Sequence, residues 1–114
     1  MTTKAIERKL KDCLYLATWR CKARGWPMPE CTVGSLLLRW YRQDGLCKLS
    51  GLPLELKGPN GATLDRINPT KPYTRRNIQI VSLWANIAKS DMTTAEFREL
   101  CRSVLRHTKA GTGK

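Results

Sequence analysis

The stretch ATLDRINPTKPYTRRNIQ, residues 62–79, places a single carboxylate, Asp65, directly before Arg66 and between the apolar residues Leu64 and Ile67. A second hard oxygen donor, Asn86, follows in IQIVSLWANIAK. A carboxylate and an amide oxygen suit Mg²⁺ or Mn²⁺, with water completing the shell. One such ion, flanked by Arg66, Lys71, Arg75, Arg76 and Lys89, is sufficient equipment to cut a phosphodiester. The ion polarises the phosphate and steadies the leaving oxygen, and the cations hold the neighbouring phosphates. Taken singly, each residue has a plainer explanation. An Asp-Arg neighbour pair is usually a solvated salt bridge, an asparagine on a helix is often mere surface, and YTRRN reads as a wet loop. The metal reading requires that Asp65 and Asn86 converge.

What must bring them together can be read coarsely. Ile6, Leu10, Cys13, Leu14, Ala17 and Cys21 recur at helical spacing, and Gly25 and Pro27 end that basic amphipathic helix. A second helix is expected over Val33 to Gln43. LCKLSGLPLEL, broken by Gly51 and Pro53, suggests a short strand that pairs through GPNGATLDRI in an irregular hairpin. IQIVSLWANIAK reads as a helix with Ile80, Trp84, Ile87 and Ala88 inward. A last helix begins at the capping-box pair Thr93 and Glu96 and shows an apolar face of Phe97, Leu100, Cys101, Val104 and Leu105. Helical context makes most of the tryptophans, Trp19, Trp26, Trp40 and Trp84, packing residues rather than base-stacking platforms. The order gives an α+β or mostly α domain.

The chain has 114 residues, enough for one compact domain, with 21 Lys and Arg against 9 Asp and Glu and a net charge of +12. That excess favours a polyanionic partner. No apolar run reaches the length of a membrane span, and the charged N-terminus lacks the apolar region of a secretory signal, so a cytosolic protein without a membrane partner is expected. Five cysteines without C-x-x-C spacing are, in a reducing compartment, small core hydrophobes.

LDRINP followed by RRNIQIVSLWANIAK resembles the HNH endonucleases of the ββα-metal (His-Me finger) class, whose pattern runs D-H-I-x-P, a loop, then N-L-Q-x-L-C-x-x-C-N-x-x-K. The spacing matches from Asn77 through Asn86 to Lys89, and CKLSGLPL is similar to the family's opening strand. The resemblance covers residues 46–91 and is greatest to a short phage and mobile-element subgroup with LDRI in place of the D-H motif and a loop tyrosine, here Tyr73. It implies an HNH-like core at 45–91, a helical extension at 1–44, a C-terminal helix at 92–108 and a flexible tail at 109–114.

The resemblance further implies a divalent-metal-dependent endonuclease or nickase acting on double-stranded DNA, in the host cytoplasm if the chain is phage-encoded. Asp65 and Asn86 would ligate one Mg²⁺ or Mn²⁺, Asn77 would pin the loop, and Lys89 would lie near a phosphate. Catalytic duties would fall to Asp65, Arg66, Asn77 and Asn86. Nucleic-acid contacts would come from Arg66, Lys71, Arg75, Arg76 and Lys89. There are two departures. The positions of the family's two zinc-binding cysteine pairs hold Cys47 with Ser50 and Ser82 with Ala85, so no structural zinc is expected. Arg66 stands where the family has its general-base histidine, and an arginine stays protonated near neutral pH. A catalytically inactive, nuclease-derived module that binds nucleic acid, or an inhibitor, acting through the basic surface is therefore the alternative. Oligomeric state is left open.

Overall fold

The computed structural model describes residues 1–109, so the expected tail lies, but for Lys109, outside the described residues. The fold is α+β, with helices α1 (Thr3–Arg24), α2 (Val33–Arg42), α3 (Leu83–Lys89) and α4 (Thr94–His107) and strands β1 (Ala62–Arg66) and β2 (Ile78–Ser82).

The two strands form an antiparallel pair with Leu64 opposite Ile80 and Asp65 opposite Gln79. Side chains alternate across the pair. Ala62, Leu64 and Ile80 face α1 and α2 with Leu10, Cys13, Ala17, Leu36 and Trp40 of the core. Thr63, Asp65, Gln79 and Val81 fall on the opposite side, where α3 packs. Helix α1 runs until Gly25, whose φ of 68° lets its N–H reach back to the carbonyls of Cys21 and Lys22.

The hairpin differs from the sequence expectation. The partner of residues 62–66 is 78–82, and the segment around Leu46 and Pro53 contributes only isolated bridges, Leu46 to Pro53 and Glu55 to Gly61. Gly51 and Pro53 break the ladder, and residues 47–52 curl into a turn in which Gly51 N–H bonds the Cys47 carbonyl. Residues 78–82, expected to be helical, are strand because both faces are covered. Every residue of β2 is buried, so the apolar run carries no clear periodicity. Helix α3 is correspondingly short and turns Asn86 and Lys89 inward. Trp84 and Ile87, expected in the core, are 67% and 65% exposed.

The apolar face of α4 forms, but Leu100, Cys101, Val104 and Leu105 lie open to solvent. The predicted capping box is present, and hydrogen bonds from the backbone and side chain of Thr93 hold the Glu96 carboxyl below its ordinary range. Cys13, Cys21 and Cys47 are buried as small core residues, whereas Cys101 is exposed. Trp40 is core, Trp26 packs at its edge, and Trp19 joins Trp84 at the surface.

Gln43, just beyond α2, closes the free side of β2. Its amide oxygen accepts the Ile80 N–H at 3.1 Å, and its nitrogen donates to the carbonyls of Ile80 at 2.9 Å and Leu46 at 2.8 Å. The side chain thereby acts as a surrogate strand. Gln43→Leu should cost about 1–3 kcal/mol in urea unfolding, since it leaves the Ile80 N–H unpaired while the Ile80 carbonyl keeps only the Lys48 N–H; an unchanged midpoint and slope would show that solvent satisfies the Ile80 donor equally well.

Candidate functional site

Asp65 is built into the site from below. It is 6% exposed, and its Oδ2 accepts from Gln79 Nε2 at 2.9 Å across the strand pair. Lys89 Nζ lies 3.2 Å from Oδ1 and 3.1 Å from Oδ2, and it also donates to the Arg66 carbonyl at 2.8 Å. Lys89 is fully buried. This corrects the expectation that Lys89 meets a phosphate: its one charge is spent on Asp65, because an unpaired buried ammonium would be too costly.

Asn86 sits one helical turn earlier. Its Nδ2 donates to Thr63 Oγ1 at 2.9 Å and the Leu64 carbonyl at 3.3 Å, docking α3 on β1. Its Oδ1 accepts no hydrogen bond from the described residues. Asp65 and Asn86 line the same cavity of about 610 Å³, walled by α1, β1, α3 and the turn at residues 57–61. At that turn Gly61 is favoured, since a Cβ would lie 3.0 Å from the backbone of Lys57 and Gly58 and press that backbone aside.

Arg66 points to the other side of β1, toward α1. Its guanidinium carbon lies 4.1 Å from the Trp26 ring centroid and 5.2 Å from that of Tyr73, and Nη1 donates weakly to the Lys71 carbonyl at 3.3 Å. Arg66 lines the cavity too. Lys71, Arg75 and Arg76 are exposed on the connecting loop and do not line it.

Asn77 bonds that loop end to end. Its Oδ1 accepts the Asn68 N–H at 2.9 Å, and Nδ2 donates to the carbonyls of Asn68, Lys71 and Pro72 at 2.9, 3.2 and 2.9 Å. Asn77 therefore shapes the loop from underneath and does not line the cavity.

Cys47, Ser50, Ser82 and Ala85, where the resemblance would place zinc-binding cysteines, also converge. Cys47 Sγ accepts the backbone N–H of Ser50 at 3.4 Å and of Ser82 at 3.2 Å, and Ser82 Oγ caps α3 through Ala85 N–H at 3.2 Å. Burial alone would raise the Cys47 thiol, but hydrogen bonds from the Ser50 side chain and backbone, and from the Ser82 and Leu49 backbones, bring it below its ordinary value. One thiol among these positions cannot close a zinc site.

A divalent ion at Asp65 and Asn86 is testable against this geometry. Asn86 lines the cavity and keeps an amide oxygen that accepts no hydrogen bond from the described residues. Asp65 keeps one lone pair on Oδ1 once Lys89 and Gln79 are counted. The donors thus suit a hard ion held sparsely and mostly by water, with Lys89 as the cation it must compete against. Among the described residues there is no group of three or more His, Cys, Asp and Glu side chains placed to hold a metal.

Several residues facing the cavity were not singled out from the sequence. Asp12 and Asp91 are exposed carboxylates on its wall, and Arg20 and Arg24 face it from α1. Their i, i+4 spacing is the signal that could have found the two arginines. Asp91 follows the turn at Ser90, a non-glycine residue with φ of 49°. His107 is exposed on α4 and does not line the cavity.

No family model, curated protein or solved structure matches this chain. Among the described residues no helix is long and apolar enough to cross a membrane.

The Asn77 network yields a direct expectation. Asn77→Ala should destabilise the fold by about 1–3 kcal/mol, and Asn77→Asp should be at least as damaging at neutral pH because a carboxylate would face three carbonyls. Urea unfolding of both variants checks this; an Asp variant as stable as wild type would refute the assignment of donors.

Proposed function

We propose that this chain is a nucleic-acid endonuclease built on an HNH-like ββα core, cutting a phosphodiester with a single Mg²⁺ or Mn²⁺. What carries the reading is one convergence: Asp65, Arg66 and Asn86 line a single cavity whose wall also bears Lys9, Arg20 and Arg24. The strand, pinned loop, strand and helix of residues 62–89 support it, as does the meeting of Cys47 and Ser82 where the resemblance would have a zinc.

Each residue has a chemical part. Asp65 Oδ1 and Asn86 Oδ1 would hold the ion, which when bound polarises the phosphate. Arg66 stays charged and cannot take a proton from water. Fixed over two aromatic rings, it is suited to bind a phosphate oxygen as charge develops there. Asp12 and Asp91 are the other carboxylates on the cavity wall, so proton acceptance falls to one of them or to solvent. Asn77 positions the loop rather than the substrate.

The test is nicking of supercoiled plasmid by purified wild type, Asp65→Asn and Asn86→Ala, with Mg²⁺, Mn²⁺ or excess EDTA. Wild type should nick only with a metal, and both variants, confirmed folded by circular dichroism, should lose the activity. Cutting that survives EDTA, or that Asp65→Asn leaves undiminished, would contradict the proposal.

A second reading is favoured by the position of Lys89. An ammonium already seated across both oxygens of Asp65 balances the charge that a metal would need, which suits a domain that binds nucleic acid and does not cut it. That reading predicts salt-sensitive binding in EDTA with no nicking under any metal.

A further inference from the structure

We infer that α1 supplies a phosphate clamp: Arg20 and Arg24 act with Arg66 around Trp26 and Tyr73 to grip the sugar-phosphate backbone of a DNA strand entering the cavity. The inference rests on reading the cavity as a polynucleotide site, which both functional readings share, and it does not depend on metal or cleavage.

The three guanidiniums are held together by aromatic surface. Arg24 lies 5.1 Å and Arg66 4.1 Å from the Trp26 ring centroid, and Arg66 also lies 5.2 Å from the Tyr73 ring. Arg20 Nη1 donates to the Tyr73 hydroxyl at 2.8 Å, while the Tyr73 ring is buried. Cation–π contact favours the placement of Arg24 and Arg66, and the Tyr73 hydroxyl fixes Arg20, but three like charges beside one another repel.

No carboxylate among the described residues forms an ion pair with any of the three. The ion pairs are Lys89 with Asp65, and Arg102 and Arg106 with Glu99. Asp12 and Asp91 share the cavity wall but lie beyond salt-bridge distance of these arginines. Most of the donor capacity is unused. A guanidinium carries five N–H groups, and Arg66 and Arg20 each spend one on the protein while the Arg24 guanidinium makes no hydrogen bond to a described residue. Fixed, unpaired, fork-shaped donors are the chemistry that recognises phosphate oxygens.

The arrangement also says what is not read. Trp26 is only partly exposed and already carries two guanidiniums over its rings, so it is engaged in orienting cations rather than stacking on a base. Contacts of this kind give affinity and register without sequence preference.

The test is fluorescence anisotropy with labelled duplex and single-stranded DNA of two unrelated sequences, in EDTA, over a range of NaCl. Wild type is compared with Arg20→Gln, Arg24→Gln, the double variant, and Lys22→Gln. Lys22 is an exposed residue of the same helix that does not line the cavity, and its loss changes net charge equally. Each arginine replacement should flatten the log–log salt dependence by about one phosphate contact, a slope change of about 0.9 on duplex or 0.7 on single strands. Lys22→Gln should change it far less, and the two sequences should bind alike.

Arginine variants that bind no worse than Lys22→Gln, with wild-type binding intact, would overturn the clamp and leave the cavity reading standing. Strong dependence on base sequence would overturn it as well. Wild type that binds no DNA even at low salt would remove the cavity reading together with the clamp.

Discussion

Everything in the site depends on a buried ion pair that spans strand and helix. Lys89 enters from the end of α3, places its ammonium against both oxygens of Asp65, and also holds the Arg66 carbonyl. Gln79 secures the same carboxylate from the partner strand. These contacts fix the strand register, the depth of α3 and the path of the backbone where Arg66 leaves β1. With two charges removed from water, the desolvation cost is offset only when geometry and hydrogen bonding are both complete, and here every buried side-chain polar atom among the described residues has a partner.

The pair also sets the electrostatics of the cavity. With Asp65 balanced internally, the wall is governed by Lys9, Lys57 and the three arginines, opposed by Asp12 and Asp91. A concave, low-dielectric surface of that sign concentrates polyanions near it. The same neutralisation makes Lys89 the rival of any divalent ion. The aromatic pair Trp26 and Tyr73 then ties two distant parts of the chain to one task, since α1 and the connecting loop meet across Arg66.

Much of this was legible in the residues, and the failures have physical causes. The end of α1 and the cap of α4 could be read because Gly25 and Thr93 carry specific backbone chemistry. Strand β2 was misread as helix because IQIVS is buried on both faces, which erases the two-residue alternation. Its pairing partner was misplaced because the intervening loop is long and held by Asn77 rather than by a tight turn. Asp65, Arg66 and Asn86 reach one cavity through the packing of α3 on β1, which residue spacing does not fix. The inward turn of Lys89 was not legible either, because a lysine on a basic protein gives no sign that a buried carboxylate awaits it. The i, i+4 spacing of Arg20 and Arg24 puts them on one helix face, but that this face and Trp26 meet the cavity follows only from the packing of α1 on β1.

The central claim is that Asp65 and Lys89 act as one buried unit. A double-mutant cycle in urea, using Asp65→Asn, Lys89→Met and the combined variant, tests it most directly. Each single change should cost about 3–5 kcal/mol by stranding its partner, and the combined variant should lose about 1–3 kcal/mol less than the sum. Losses that simply add, within about 0.5 kcal/mol, would contradict the account.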